Sequence, residues 1–276
     1  MKVACKHIDR LVGVRLHPVE DDSMYELYKL LDGDGPVSWQ MAQAVLTRPG
    51  CAVGIAAGRS GQHDEYDGLQ GAAVLARALK QLGYQVTLYT DPALVQALRD
   101  IETSLKTDVQ IEELAFESKD ASHKIAQQLD ICIFVEKPGL DEEGVQCLEG
   151  GAGHADWIAW EMDKLGKTTM GIGDNAGMIG FGKLFAAARR LGASGETVTR
   201  TATTYLYPVS NAGWGAYALT AALAIGMKRP DLALRPEEEE EMPGRDQRDG
   251  GAVSAGVVRM IKEMVDITLS TNDRKF

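Results

Sequence analysis

The stretch Thr168–Lys183, TTMGIGDNAGMIGFGK, decides the reading of the fold. Residues tolerant of extended backbone run into a glycine-rich turn at Gly171–Asn175, and Gly177, Gly180 and Gly182 then open a helix expected over Leu184–Leu191. Open α/β sheets build their sites from strand, polar glycine turn and helix, because glycine lets a ligand approach the backbone while helix N–H groups point outward. Asp174 is the one charged group in the turn itself.

The same pattern repeats on either side. Cys51–Ala57 (CAVGIAA) and Ile131–Val135 are continuous apolar runs of strand length, as expected for strands buried on both faces of a parallel sheet. Tyr84–Tyr89 reads as another strand, Val109–Phe116 as a weaker one and Thr197–Val209 as a long last one. Between them lie helical stretches at Leu69–Leu82, Pro92–Arg99, Ser118–Leu129, Ala155–Leu165 and Gly213–Ile225. This alternation predicts βαβ units: an α/β fold with a mainly parallel sheet flanked by helices, in a Rossmann-like three-layer arrangement.

Before the core, residues 1–49 form a helical lead-in, with Met24–Leu31 amphipathic and Ser38 placed to cap a helix over Trp39–Leu46. After it, 228–250 breaks the pattern, and its acidic run Glu237–Glu241 reads as a solvated loop. Residues 251–276 return as an amphipathic C-terminal helix that packs on the core or on a second subunit, which leaves a homo-oligomer open. The expectation is one α/β domain over 1–276, with its core at 50–227.

Composition excludes several classes of function. A net charge of −11 over 276 residues and a pI near 5.0 offer no basic stripe for nucleic acid. No apolar run reaches the ~20 residues of a membrane helix, and no signal core is present. Cys5, Cys51, Cys132 and Cys147 lack metal or disulfide spacing and read as free thiols, so the expected location is cytoplasmic. Neither a Walker A loop nor a GxGxxG after the first strand is present, so no nucleotide cofactor is expected.

If the strands are parallel, right-handed crossovers bring five loops to one edge. They carry Gly58, Asp67 and Gly68, with His63, Asp64 and Glu65 nearby; then Asp91, Glu136, Asp174 with Asn175, and Ser210 with Asn211. The cations among them are Arg59 and Lys137. Clustered carboxylates tolerate one another by sharing a proton, binding a cation or receiving an ammonium group. Asp91 also suits a helix cap, and Asp174 a cap for the glycine-rich helix start. Glu136, directly after a buried strand and before Pro138-Gly139, is the hardest to explain as solvated surface. His63 and His154 are weaker candidates.

Five stretches in this order resemble the D-glutamate cyclase family: a strand ending in Gly58; Tyr66-Asp67-Gly68 running into GAAVLARALKQLGYQVTLYTD at 71–91; VEKPG at 135–139; GIGDNAGMIGFGK at 171–183; and SNAGWGAYAL at 210–219. The resemblance covers roughly 51–225. It implies a lyase that closes D-glutamate to 5-oxo-D-proline with loss of water, on an α/β fold with a parallel sheet. At Gly177-Met178 this chain departs from the Asn-Glu pair of the family pattern, and Asp64-Glu65-Tyr66 replaces Pro-Glu-Thr.

The expected catalytic set is therefore Asp67, Glu136 and Asp174, with Glu136 or Asp67 as base and Asp174 as its partner. The same three are the candidate ligands of Mg²⁺ or Mn²⁺, which favour oxygen donors. Gly58, Gly68, Asp91, Gly173, Asn175, Ser210 and Asn211 are the expected substrate contacts, with backbone N–H groups at Gly171–Gly173 and Ser210–Asn211 holding substrate carboxylates. Two other readings use the same residues: a divalent-metal-dependent phosphate-ester hydrolase, and a small-molecule binding module without turnover.

Overall fold

The structure is a computed structural model, and it describes residues 1–13, 22–59, 66–114, 119–148, 155–192, 197–244 and 252–272. In chain order the elements are α1 (Lys2–Val12), α2 (Ser23–Lys29), α3 (Val37–Leu46), β1 (Ala52–Ala57), α4 (Asp67–Gln81), β2 (Gln85–Thr90), α5 (Val95–Ser104), β3 (Gln110–Glu113), α6 (Lys119–Gln128), β4 (Ile131–Val135), α7 (Ala155–Lys164), β5 (Thr168–Gly173), α8 (Phe185–Leu191), β6 (Tyr205–Pro208), α9 (Ala212–Met227), α10 (Pro236–Glu241) and α11 (Ala252–Asn272).

All six strands pair in parallel, in the order β3-β2-β1-β4-β5-β6. The chain thus winds outward from β1 in one direction and from β4 in the other. The β1/β4 boundary is the topological switch point, the place where open α/β sheets bind ligands. Side chains alternate across the sheet. Val53, Ile55, Leu88, Ile133, Val135 and Ile172 face the layer containing α1, α3, α4, α9 and α11. Ala56, Tyr89, Cys132 and Phe134 face α6 and α7. The result is a three-layer α/β architecture with a helical lead-in and a C-terminal helix.

Helix α9 sets the geometry of the site. Its sequence, AGWGAYALTAALAIGM, is apolar all round and buried from Ala212 to Ile225, because α1, α3, α4 and α11 surround it. Small residues let α4 come close: a Cβ added at Gly71 would lie 2.8 Å from the Cα of Gly213, and one at Gly213 would lie 2.6 Å from the carbonyl of Asp67. The two helices therefore begin side by side at the carboxyl edge of the sheet.

Several sequence expectations change. Ser38 is not a cap: it is buried in the first turn of α3, and its backbone N–H donates to Asp9 Oδ2 at 3.2 Å. Asp9 of α1 also accepts from the hydroxyls of Tyr28 (3.0 Å) and Tyr207 (2.8 Å), which ties the lead-in to β6. The last strand is short because the threonines before it serve loops. The Thr199 hydroxyl donates to the Leu140 carbonyl, the Thr201 hydroxyl to Asp156, and the Thr204 N–H to Thr169 Oγ1.

The acidic run is not a solvated loop. Pro236–Glu241 is a helix in which Glu238 accepts from the Arg235 N–H, and Arg77 of α4 pairs with Glu238 at 2.9 Å. Beyond it, the Pro243 carbonyl accepts from Gln70 Nε2, and the Gly244 carbonyl from the Tyr66 N–H, so this segment lies against the start of α4. The four cysteines are free; Cys5 and Cys132 are buried, and Cys51 and Cys147 half-buried. Among the described residues no helix is long and apolar enough to cross a membrane.

Candidate active site

The parallel sheet delivers Gly58, Asp91, Glu136, Asp174 and Ser210 to one edge, because each directly follows, or lies within two residues of, the end of its strand. What gathers three of the carboxylates is the paired start of α4 and α9. Asp67 is the first residue of α4, and its Oδ2 accepts from Asn211 Nδ2 at 2.5 Å. Asn211 caps α9, its Oδ1 accepting from the Trp214 N–H at 3.0 Å. Asp174, expected to cap the helix after its own strand, instead accepts from the Ala212 N–H, at the first turn of α9 (3.2 Å). Glu136 reaches across from β4 to accept from the Gly68 N–H on α4 at 2.9 Å. All three carboxylates thus sit at positive helix ends, which offsets part of their mutual repulsion.

Glu136 is the unusual member. Its φ is +53°, in the left-handed region that costs a non-glycine residue about 1–2 kcal/mol. Its backbone N–H donates to the Ile172 carbonyl at 3.1 Å, so the turn is anchored to β5. The side chain is half-buried. Burial first, then the charges of Asp174 and Asp67, raise its pKa from 4.5 to about 8; the Gly68 N–H and Arg59 pull the other way. The contact with α4 also explains Gly68: an added Cβ there would lie 2.5 Å from the Cβ of Glu136.

The remaining expected contacts divide. Gly58 is buried at φ +83°, packed against Leu69 and Leu94, with its N–H bonded to the Val135 carbonyl. Asn175 closes its own turn, Oδ1 accepting from the Gly177 N–H at 2.7 Å. Ser210 turns away: its N–H and its hydroxyl both donate to the Val12 carbonyl, at 3.0 and 2.6 Å. The Gly173 carbonyl accepts from the Val209 N–H.

Asp91 does not act as a side-chain cap. It is fully buried, and its Oδ1 accepts from Lys137 Nζ at 2.6 Å. His63, Asp64, Glu65 and His154 lie outside the described residues.

From sequence alone Lys137 is only a cation in a loop. It is 1% exposed, and Nζ also donates to the Gly58 carbonyl at 3.2 Å. Its position directly after five buried strand residues and before Pro138 was the available signal. At the departure from the family pattern, Met178 is 2% exposed and packs with Ala176, Phe181 and Leu148, while Gly177 lies against Cys147 and Leu148. The Gly177-Met178 pair thus packs into an apolar cluster and contributes no acid.

Among the described residues no group of three or more His, Cys, Asp or Glu is spaced to hold a metal ion. What the arrangement supplies chemically is one carboxyl whose pKa is raised to about 8, beside two further carboxylates and two helix N-termini.

A family model described as D-glutamate cyclase-like, C-terminal, matches residues 37–272. Comparison with curated proteins finds no match. A solved structure described as the crystal structure of gox2181 covers 71% of this chain and 72% of its own, at 12% identity and a TM-score of 0.28.

Proposed function

Starting from the fact that this chain belongs to the D-glutamate cyclase-like family, we propose that it is a lyase closing a small amino-dicarboxylate to a lactam with loss of water, as in the conversion of D-glutamate to 5-oxo-D-proline. The observation that carries this reading is Glu136: left-handed, bonded to the Gly68 N–H, and raised to about 8 by burial and by two neighbouring carboxylates.

The chemistry asks for such a group. The substrate enters with an ammonium and two carboxylates. Ring closure makes one C–N bond and breaks one C–O bond, and two protons pass from nitrogen to the departing oxygen. A carboxyl with its pKa raised to about 8 can carry both in turn, because it is neither too weak a base to take a proton nor too weak an acid to return it. In its protonated form Glu136 gives its proton to the side-chain carboxylate of the substrate, making that carbon electrophilic. The resulting carboxylate takes a proton from the ammonium and frees the nitrogen lone pair for attack. The second nitrogen proton follows the same path to the leaving hydroxyl. Asp67 and Asp174 supply the negative field that draws in the ammonium and keeps Glu136 protonated at rest. To Arg59, half-buried and with a charge that acts on Glu136, we assign the spectator carboxylate.

The test is direct. Purified protein is incubated with D- and L-glutamate, with and without Mn²⁺ and after chelation, and 5-oxoproline is followed by chromatography. Formation of 5-oxo-D-proline from the D enantiomer supports the reading, and no product under any of these conditions sinks it. A thermal shift with D-glutamate but no product would mark a binding module. Product only on adding Mn²⁺ would return a cation to the three carboxylates.

A further inference from the structure

Glu136 holds a strained backbone, and strain persists only where the surroundings over-determine it. Hydrogen bonds at its own N–H and carboxyl fix two points. The rest comes from the next residue. Because the sheet order places β2, β1 and β4 side by side, the Lys137 side chain crosses the end of β1. It bonds the Gly58 carbonyl on β1 at 3.2 Å and Asp91 after β2 at 2.6 Å. Its own carbonyl accepts from the Ile179 N–H at 2.8 Å, in the loop after β5. Gly58 is thereby held at both ends, its N–H on Val135 and its carbonyl on Lys137. The two positive-φ residues at the switch point, Gly58 and Glu136, share this one clamp.

We propose that Lys137, paired with Asp91, is a positioning residue: it fastens three strand ends so that the turn after β4 presents the Glu136 carboxyl to Gly68 and to the other two carboxylates. Stability is a poor explanation for the pair. Both side chains are 0% exposed, and taking two ions out of water carries a desolvation penalty that their mutual attraction does not readily repay. Asp91 Oδ2 also has no hydrogen-bond partner among the described residues, so the pair is not fully compensated. A buried pair that gains little net stability but spans three strands yields geometry. The role is one of position, because the ammonium is enclosed and its hydrogen bonds go to Asp91 and to the Gly58 carbonyl.

The kinetic arm of the test rests on the cyclase reading; the exchange arm does not. In the double variant Lys137→Met/Asp91→Leu both charges leave together, so no unpaired ion remains. Amide hydrogen exchange at Gly68 is measured by NMR, with kcat and KM for 5-oxoproline formation. The expected result is a cooperatively folded protein whose Gly68 amide exchanges about tenfold faster than in the wild type. Its kcat falls about 100-fold while KM stays within about threefold, the signature of a misplaced group. Unchanged Gly68 exchange overturns the proposal, whatever happens to the rate. Faster exchange with normal kcat overturns it too. If the wild type makes no product, the cyclase reading fails, and exchange alone decides the positioning role. Should the double variant not fold, Asp91→Asn is read in its place: it removes the charge and keeps an amide oxygen for Lys137. A smaller change in the same direction supports the proposal, and no change overturns it.

Discussion

Burial raises the pKa values of both Asp9 and Glu136, and the two carboxylates sit in opposite surroundings. Asp9 lies in the first helix of the lead-in, fully buried, with three donors aimed at it: the hydroxyls of Tyr28 and Tyr207 and the N–H of Ser38. Desolvation raises its pKa, and those donors pull it back. Glu136 is half-buried and accepts one hydrogen bond, from Gly68, and the charges of Asp67 and Asp174 add to desolvation. Donors around one acid make it a knot that fastens α1, α2, α3 and β6. Like charges around the other make it a group that loses and regains a proton at little cost. Burial alone does not mark a functional acid; the neighbours do.

The sharpest way to break this contrast is to neutralise each acid in turn. Glu136→Gln keeps the shape and the Gly68 bond but cannot carry a proton. It is expected to lower kcat for 5-oxoproline formation by roughly 10²–10⁴-fold, with the melting temperature no lower than that of the wild type. An unimpaired rate would remove Glu136 from the mechanism. Asp9→Ala should do the reverse. It leaves two phenol hydroxyls and one N–H without their acceptor, and is expected to cost about 3 kcal/mol in urea unfolding while the rate per folded molecule is retained.

The contrast was only partly legible in the sequence. The buried strands announce themselves: ICIFV and AVGIAA are apolar without interruption, as strands covered on both faces must be. With parallel strands assumed, the loops carrying Asp67, Glu136 and Asp174 necessarily meet. Their partners were not legible. Asp174 bonds to Ala212, 38 residues on, and Asp67 to Asn211, 144 residues on. Such pairings follow from the approach of α4 to α9 and leave no local pattern. Asp91 and Pro92 imitate a cap, and nothing nearby reveals that Lys137 lies across the sheet. Glu237–Glu241 looks solvated because its partner Arg77 is 161 residues from Glu238. Asp9 sits in a lead-in helix whose tertiary ties only the fold discloses.

Proton linkage separates the two acids further. Glu136 has a folded pKa of about 8 against 4.5 unfolded, so between those values the folded state binds more protons. Stability then falls as pH rises through that window, and the loss is complete above pH 8. Each tenfold in proton affinity is about 1.4 kcal/mol, which sets a ceiling of about 5 kcal/mol; partial solvent access and coupling to Asp67 and Asp174 reduce the expectation to about 1–3 kcal/mol. Glu136→Gln should therefore match the wild type in stability near pH 4.5 and exceed it by that amount at pH 8.5. Equal stability across the range would mean that Glu136 ionises normally.

The smallest effect expected belongs to Asn211, which serves both helices at once. Its Oδ1 caps α9 and its Nδ2 supplies a donor to Asp67. Asn211→Ala loses both and is expected to cost about 1 kcal/mol, a usual value for a lost cap. Asn211→Asp separates the two roles. Aspartate caps a helix as well as asparagine does, so α9 keeps its start. The donor to Asp67, however, becomes a fourth carboxylate where three already crowd. Urea unfolding of Asn211→Asp should show a cost near that of the alanine variant at pH 7.5, and a smaller one at pH 4.5, where protonation restores a donor between the two groups. A cost independent of pH would mean that the Asn211–Asp67 contact carries no electrostatic load. The carboxylates would then be held apart by the helix ends alone.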